Sequence, residues 1–266
     1  MDYQDIEYAT DGVCAIITLN RPAQLNAFTY QTLREIRHAV ETASADKRVV
    51  GMIITGSGQA FSAGLDMAVL AATTEAQVAL SAAPEEELPG IFSYLLEVPK
   101  PVIAAVNGVA AGGGLILALL SDLRFASEDA RFTTVFLKRG LIAEHGSSWL
   151  LPRLVGVSNA LDLLWMSDKI DATQALDLGL VDRVFPPERL LEEARAYIEK
   201  LGAVSAPKAI AASKHLVYQH LGTGYAQALR EAEAVQNAFV TAADAVEGAA
   251  AFIERRAPKF SRVGDD

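Results

Sequence analysis

The chain predicts an α/β fold followed by a helical C-terminal region, and three observations carry that expectation. Apolar, β-branched runs recur through the first two thirds, two of them ending in glycine-rich turns, and they alternate with helix-period segments. After Pro186-Pro187 the β-branched runs give way to Ala-rich amphipathic stretches. With 266 residues and 51% hydrophobic content, the chain has enough apolar surface to bury a large core.

Taken in order, VCAIITL predicts a strand near 13–19, with Cys14, the only cysteine, inside it. A lone thiol excludes disulfides within the chain and zinc-thiolate clusters, and in such a strand it reads as a small buried hydrophobe. Helical periodicity follows at about 30–44, then a strand at 49–55 that runs into Gly56-Ser57-Gly58 and the compact FSAGLDM of 61–67. Residues 71–90 form an Ala-rich insert with Glu85-Glu86-Glu87 between two prolines, which reads as a solvated charged face.

A third strand at 102–106 enters Asn107-Gly108 and then Gly112-Gly113-Gly114, which opens an apolar helix. Three consecutive glycines carry a conformational cost, so this backbone either turns tightly against the sheet or lets something approach it closely. First-turn N–H groups have no intrahelical partner and lie at the positive end of the helix dipole, which makes bare backbone there a receptor for an oxyanion. A fourth strand is expected at 122–126, and helices at 188–201, 207–220, 225–238 and 241–254. This division places a catalytic unit at 1–186 and a helical oligomerisation region at 187–266.

Several function classes are disfavoured. The glycine spacing matches neither G-x-x-x-x-G-K-[ST] nor G-x-G-x-x-G, so nucleotide motifs are absent. A net charge of −10 opposes a nucleic-acid partner. The run from Val102 to Leu120 is broken by Asn107 and four glycines and reads as buried strand and helix rather than a membrane span. An acidic N-terminus without basic or apolar leader regions predicts a cytoplasmic protein. His38, His215 and His220 lie on expected helices without metal-ligand spacing, so no metal is expected.

AFSAGLDM followed by AAVNGVAAGGGLILAL resembles the crotonase superfamily of enoyl-CoA hydratases and isomerases. The resemblance extends from LNRPAQLNAF at 19–28 through LPRLVG at 151–156 and ALDLGLVDRVF at 175–185 to RRAPKF near the end. It implies a spiral of ββα turns and chemistry on an acyl-CoA thioester, with coenzyme A as part of the substrate and no separate cofactor. It also implies trimers or dimers of trimers, and an enolate oxygen held by two backbone N–H groups, by position those of Ala63 and Gly113. The segment 71–90 would be a variable wall of the acyl pocket.

Hydratases of that family carry two glutamates where this chain has Ile116 and Phe136, neither of which can move a proton. Glu144, in LIAEHGSSW, falls where isomerases of the superfamily place an Asp or Glu, and a single carboxylate suffices for double-bond migration. His145 beside it is a second candidate acid, base or orienting group. A different reading of Glu144 is a carboxylate at a helix start, favourable to the dipole. The resemblance places Leu25-Asn26-Ala27 and Ser62 with Leu65-Asp66-Met67 around the pantetheine and adenine, with Gln24 where relatives often have a cation. Lys259 and Phe260, with Arg255 and Arg256, are the C-terminal candidates for CoA contact. Competing activities are 2-enoyl-CoA hydration, hydrolysis of a carbon–carbon bond in a CoA thioester, and CoA binding without turnover; RNA binding is opposed by the charge.

Overall fold

Two sheets are wound from one repeating unit, and the glycine loops are its corners. The computed structural model describes residues 2–66, 69 and 90–265. Met67 and the glutamates at 85–87 lie outside the described residues, as does most of the expected pocket wall. A hairpin of β1 (Ile6–Asp11) and β2 (Cys14–Leu19) leads to helix α1 (Tyr30–Ala45), whose start is fixed by reciprocal capping between Thr29 and Thr32. Three turns of the winding follow. Strands β3 (Gly51–Gly56), β5 (Val102–Val106) and β7 (Leu123–Ser127) lie in one sheet, and each continues into a three-residue strand of a second sheet: β4 (Ala60–Ser62), β6 (Val109–Ala111) and β8 (Arg131–Thr133). Helix α2 (Gly113–Leu120) returns the chain from β6 to β7.

The first sheet has the order β1-β2-β3-β5-β7-β10, with β10 at Arg183–Phe185 and every pair after the hairpin parallel. The second runs β4-β6-β8-β9, with β9 (Ile170–Asp171) antiparallel to β8. Along the chain α3 (Ser147–Val155) and α4 (Val157–Met166) connect β8 to β9, α5 (Ala172–Asp177) connects β9 to β10, and the chain ends in α6 (Leu190–Val204), α7 (Pro207–His220), α8 (Tyr225–Val240) and α9 (Ala243–Glu254). This is the ββα spiral with a C-terminal helical region that the sequence implied.

Parity explains why the central strands read as unbroken apolar runs. Met52, Ile54, Ala104 and Val106 face the main core, while Ile53, Ile103 and Ala105 face a second cluster with Cys14 and Phe125. That second face is closed by Leu190, Ala194 and Ile198 of α6. The expected boundary at residue 187 therefore does not coincide with a break in packing: α6 belongs to the core of the spiral. Cys14 is fully buried and its thiol is pushed up to about 11 by burial.

Asparagines lock the corners where chain passes from one sheet to the other. Asn107 accepts from Gly56 N–H at 3.0 Å and donates to the carbonyl of Gly58 at 3.0 Å. Asn26 donates to the carbonyls of Ser57 at 2.9 Å and Ala60 at 2.8 Å. Each side chain replaces ladder hydrogen bonds that the bend interrupts, so successive turns of the spiral are held in register.

Candidate active site

The two glycine loops interlock where the second sheet meets the start of α2. Gly64 has φ +89°, and a Cβ there would lie 2.7 Å from the carbonyl oxygen of Ala111 and 2.9 Å from the nitrogen of Gly113. A Cβ on Gly114 would lie 2.2 Å from the carbonyl oxygen of Ser62. Any side chain at either position would force the loops apart, so the tight-packing reading of these glycines is correct as far as it goes. Among the described residues the Gly113 N–H, at the first position of α2, nevertheless has no acceptor.

In the other loop, the N–H without an internal acceptor is not the one expected. Ala63 N–H donates to the carbonyl of Leu25 at 2.9 Å, so it is not available to a ligand. Gly64 N–H is held by Ser62 Oγ at 3.1 Å and Asp66 N–H by the carbonyl of Phe28 at 2.9 Å. Among the described residues, the Leu65 N–H is the member of this loop left without an acceptor, and it follows the glycine that abuts Gly113. Sequence position alone could not separate Ala63 from Leu65, because the answer depends on which N–H finds a carbonyl in the distant 25–28 loop.

That loop is the other half of the scaffold. Leu25 and Asn26 both take positive φ, at 51° and 55°, and Phe28 pairs with Leu65 as an isolated parallel bridge. Phe28 N–H donates to the carbonyl of Gly64 at 2.7 Å, and Ser62 Oγ donates to the carbonyl of Asn26 at 2.7 Å. Asn26 is buried with its amide engaged internally, Ala27 is buried, and Asp66 pairs with Arg21 at 3.3 Å. Side chains of Asn26, Ser62 and Asp66 thus build the loop, which leaves backbone and the exposed Leu25 to face a ligand. Sequence reasoning missed Arg21; its only signal was its place in LNRPAQLNAF.

Lys259 and Phe260 lie against α9. Lys259 N–H donates to Glu247 Oε1 at 2.6 Å, and the Phe260 ring comes within 3.5 Å of where a Cβ on Gly248 would be. No hydrogen bond or ion pair among the described residues connects them to the glycine loops. Arg256 is held between Glu247 and Glu254, each at 2.6 Å.

Ile116 is fully buried and Phe136 is 5% exposed, so both positions that carry glutamate in hydratases are apolar core. The chain around Phe136 is bent tightly against the start of α2. Val135 takes φ 53°, a costly conformation for a β-branched residue, and its Cγ2 lies 3.1 Å from where a Cβ on Gly112 would be. Leu141 N–H returns to the carbonyl of Phe136 at 3.1 Å, and α3 packs on α2. The chain at 135–136 is thus held against the start of α2, and the loop that carries Glu144 runs from there to α3.

Glu144 is partly buried, and among the described residues its carboxylate makes no hydrogen bond or ion pair; only its carbonyl is used, accepting Ser147 N–H at 3.0 Å and Ser147 Oγ–H at 2.8 Å. The N-cap of α3 is Gly146, and no side chain caps the helix, so Glu144 does not serve as a cap. His145 has φ 51°, and burial pulls its imidazole below its ordinary value of 6.5, against the opposing pull of Glu144. A neutral imidazole at pH 7 follows. No group of three or more His, Cys, Asp or Glu among the described residues could hold a metal ion.

Comparison with known proteins bears on the family and the fold. The family model described as enoyl-CoA hydratase/isomerase matches residues 9–263. A probable enoyl-CoA hydratase of Rhizobium meliloti is 37% identical, over 98% of this chain and 99% of that protein. A trans-2-decenoyl-[acyl-carrier-protein] isomerase of Streptococcus mutans is 32% identical, over 98% of this chain and 99% of that protein. Among solved structures, enoyl-CoA hydratase from Mycobacterium tuberculosis superposes with a TM-score of 0.88 at 32% identity, over 97% of this chain and 98% of that one.

Proposed function

The chain belongs to the enoyl-CoA hydratase/isomerase family, and from that premise we propose that it moves the double bond of a 3-enoyl-CoA thioester into conjugation, with Glu144 carrying the proton. The observation that carries this reading is the partly buried Glu144 carboxylate, without a partner among the described residues, on the loop between β8 and α3, combined with apolar side chains at 116 and 136.

In this reading the thioester oxygen is held by the N–H groups of Leu65 and Gly113. The Glu144 carboxylate removes a proton from C2, the C3–C4 π electrons delocalise with the new carbanion into a dienolate, and the donors hold the charge on oxygen. The same carboxyl group returns the proton to C4, which leaves the double bond between C2 and C3. Each fixed donor of this kind contributes on the order of 3 kcal/mol in the transition state. Hydration asks for more: a water must be oriented, deprotonated and added at C3, and buried Ile116 and Phe136 offer no group for it. His145, neutral and adjacent, is the alternative proton carrier.

A second reading, hydration of a 2-enoyl-CoA with Glu144 alone, is favoured by the likeness to the probable enoyl-CoA hydratase of Rhizobium meliloti. Product analysis on matched 2-enoyl-CoA and 3-enoyl-CoA substrates separates the two: conjugated product from the 3-enoyl substrate supports isomerisation, and a 3-hydroxyacyl product with no migration overturns it. Association of copies, as trimers or dimers of trimers, fits the apolar side chains exposed on α8 and α9, including Tyr225 and Phe252 at 81% and 86% exposure.

A further inference from the structure

Arg21 is joined to the Leu65 N–H by an unbroken line of peptide units. Arg21 Nη1 donates to the carbonyl of Ala27. That carbonyl shares a peptide plane with Phe28 N–H, which donates to the carbonyl of Gly64 at 2.7 Å. The Gly64 carbonyl in turn shares a plane with the Leu65 N–H, the donor that has no acceptor of its own among the described residues. In a trans peptide the C=O and N–H point in opposite directions, so fixing the Gly64 carbonyl toward Phe28 fixes the Leu65 N–H away from it. A cation at one end of such a series also withdraws electron density along it, and each hydrogen bond polarises the next.

The guanidinium is itself held from several sides. It reaches Asp66 Oδ2 at 3.3 Å through both terminal nitrogens and lies 3.7 Å from Asp5 Oδ1. Asp5 also accepts from Thr29 Oγ1 at 2.9 Å and Thr32 Oγ1 at 2.5 Å, the residues that cap α1. Asp66 N–H closes the second half of the Phe28–Leu65 bridge at 2.9 Å. Both peptide planes flanking Leu65 are therefore referred to one cation braced against the first helix.

We propose that Arg21 is a positioning residue that orients and polarises the Leu65 N–H through the Ala27–Phe28 and Gly64–Leu65 peptide units, so that the donor is set before charge develops on the thioester oxygen. This rests on the reading of Leu65 as an oxyanion donor. It deepens that reading by naming what tunes the donor.

The test is the carbonyl stretch of a bound enoyl-CoA labelled with ¹³C at C1, read by difference infrared spectroscopy alongside kcat and KM. In the parent, the stretch should lie below its value in water, because two donors polarise the carbonyl. Arg21→Met should move it back toward the value in water and lower kcat by about 10-fold or more with KM changed less than about threefold, as expected when a transition-state interaction is lost. Arg21→Lys, which keeps the cation, should recover part of both. Replacing the amide of Phe28 by an ester leaves Arg21 in place but cuts the line, and should reproduce the Arg21→Met shift; it carries the test if Arg21→Met does not fold. An ester in place of the Leu65 amide tests the underlying reading: if it leaves the stretch unmoved, Leu65 is not a donor and the proposal falls with it. If the Leu65 ester moves the stretch while Arg21→Met and the Phe28 ester do not, the Leu65 reading stands and the role of Arg21 is overturned.

Discussion

Replacing one backbone N–H by an ester oxygen, at residue 63 and separately at residue 65, gives opposite expected outcomes at two neighbouring positions. The Ala63 N–H is bonded to the carbonyl of Leu25 at 2.9 Å, whereas the Leu65 N–H has no acceptor among the described residues. An ester at 63 therefore removes an existing bond, with a stability loss of about 1 kcal/mol, and leaves the catalytic donors intact. An ester at 65 removes no internal bond. It does make the Gly64 carbonyl a weaker acceptor for Phe28 N–H, at 2.7 Å, which is expected to cost less than about 1 kcal/mol. Its chemical effect is large: loss of one donor to a developing oxyanion lowers kcat by about 10²- to 10³-fold. Urea unfolding midpoints and single-turnover rates on a 3-enoyl-CoA, measured on both variants, give the comparison. A rate loss of 100-fold at 63 with near-parent rate at 65 would refute the assignment of Leu65 and restore Ala63.

Other expected outcomes bear on the same site and its support. Glu144→Gln keeps size and polarity but not the exchangeable proton, so turnover and solvent-deuterium exchange at C2 should both fall by about 100-fold or more, with CoA-product affinity near parent; unchanged exchange would move the proton-carrying role, with His145 next to test. Gly114→Ala places a Cβ 2.2 Å from the Ser62 carbonyl oxygen and should destabilise by more than about 3 kcal/mol in chemical denaturation, since the clash is with backbone rather than with the end of a flexible side chain. The buried Lys100 ammonium, bonded to the carbonyls of Ala43 and Asp46, is pulled by burial from 10.5 to about 8. Between about pH 8 and 10.5 the unfolded chain binds more protons there, so this group's contribution to stability rises with pH through that window, and Lys100→Met should flatten that slope in melting curves. Imidazole titration followed by NMR should find His145 protonating below its ordinary 6.5; a midpoint above it would contradict the buried placement.

What the sequence made legible follows from range of interaction. The long strands β2, β3, β5 and β7 and helices α1 and α6 to α9 announce themselves because their side-chain periodicity is local. β4, β6 and β8 have three residues each and no room for a period, so β4 and β6 were visible only as glycine-flanked connections and β8 not as a strand at all. β1, with Glu7 and Asp11 exposed along it, lacks the apolar run that marks its neighbours. Composition placed α6 with the helical tail, yet its apolar stripe closes the outer face of the first sheet. At the site, the glycine pattern singled out the two loops, and position made Glu144 a candidate. Which N–H remains unbonded, and that Arg21 is tied to it through residues 27, 28 and 64, depends on contacts between distant segments that leave no local trace.

The two halves of the proposed site differ in how tightly they are held, and the chemistry asks for that difference. An oxyanion forms at one place, so its donors gain from being fixed; both neighbours of Leu65 are bonded to Phe28, and a Cβ on Gly113 would already be in van der Waals contact with Phe28 and Gly64. A proton leaving C2 and arriving at C4 must change place within one turnover. A carboxylate pinned by a cap or an ion pair would serve one carbon at the expense of the other. Glu144 has neither restraint among the described residues, while its backbone is anchored by two hydrogen bonds from Ser147 to its carbonyl. In the proposed isomerisation the main chain would hold the residue in place while the side chain pivots between the two carbons. Phe136 and Ile116, where hydratases carry carboxylates, add no second group to compete for that proton.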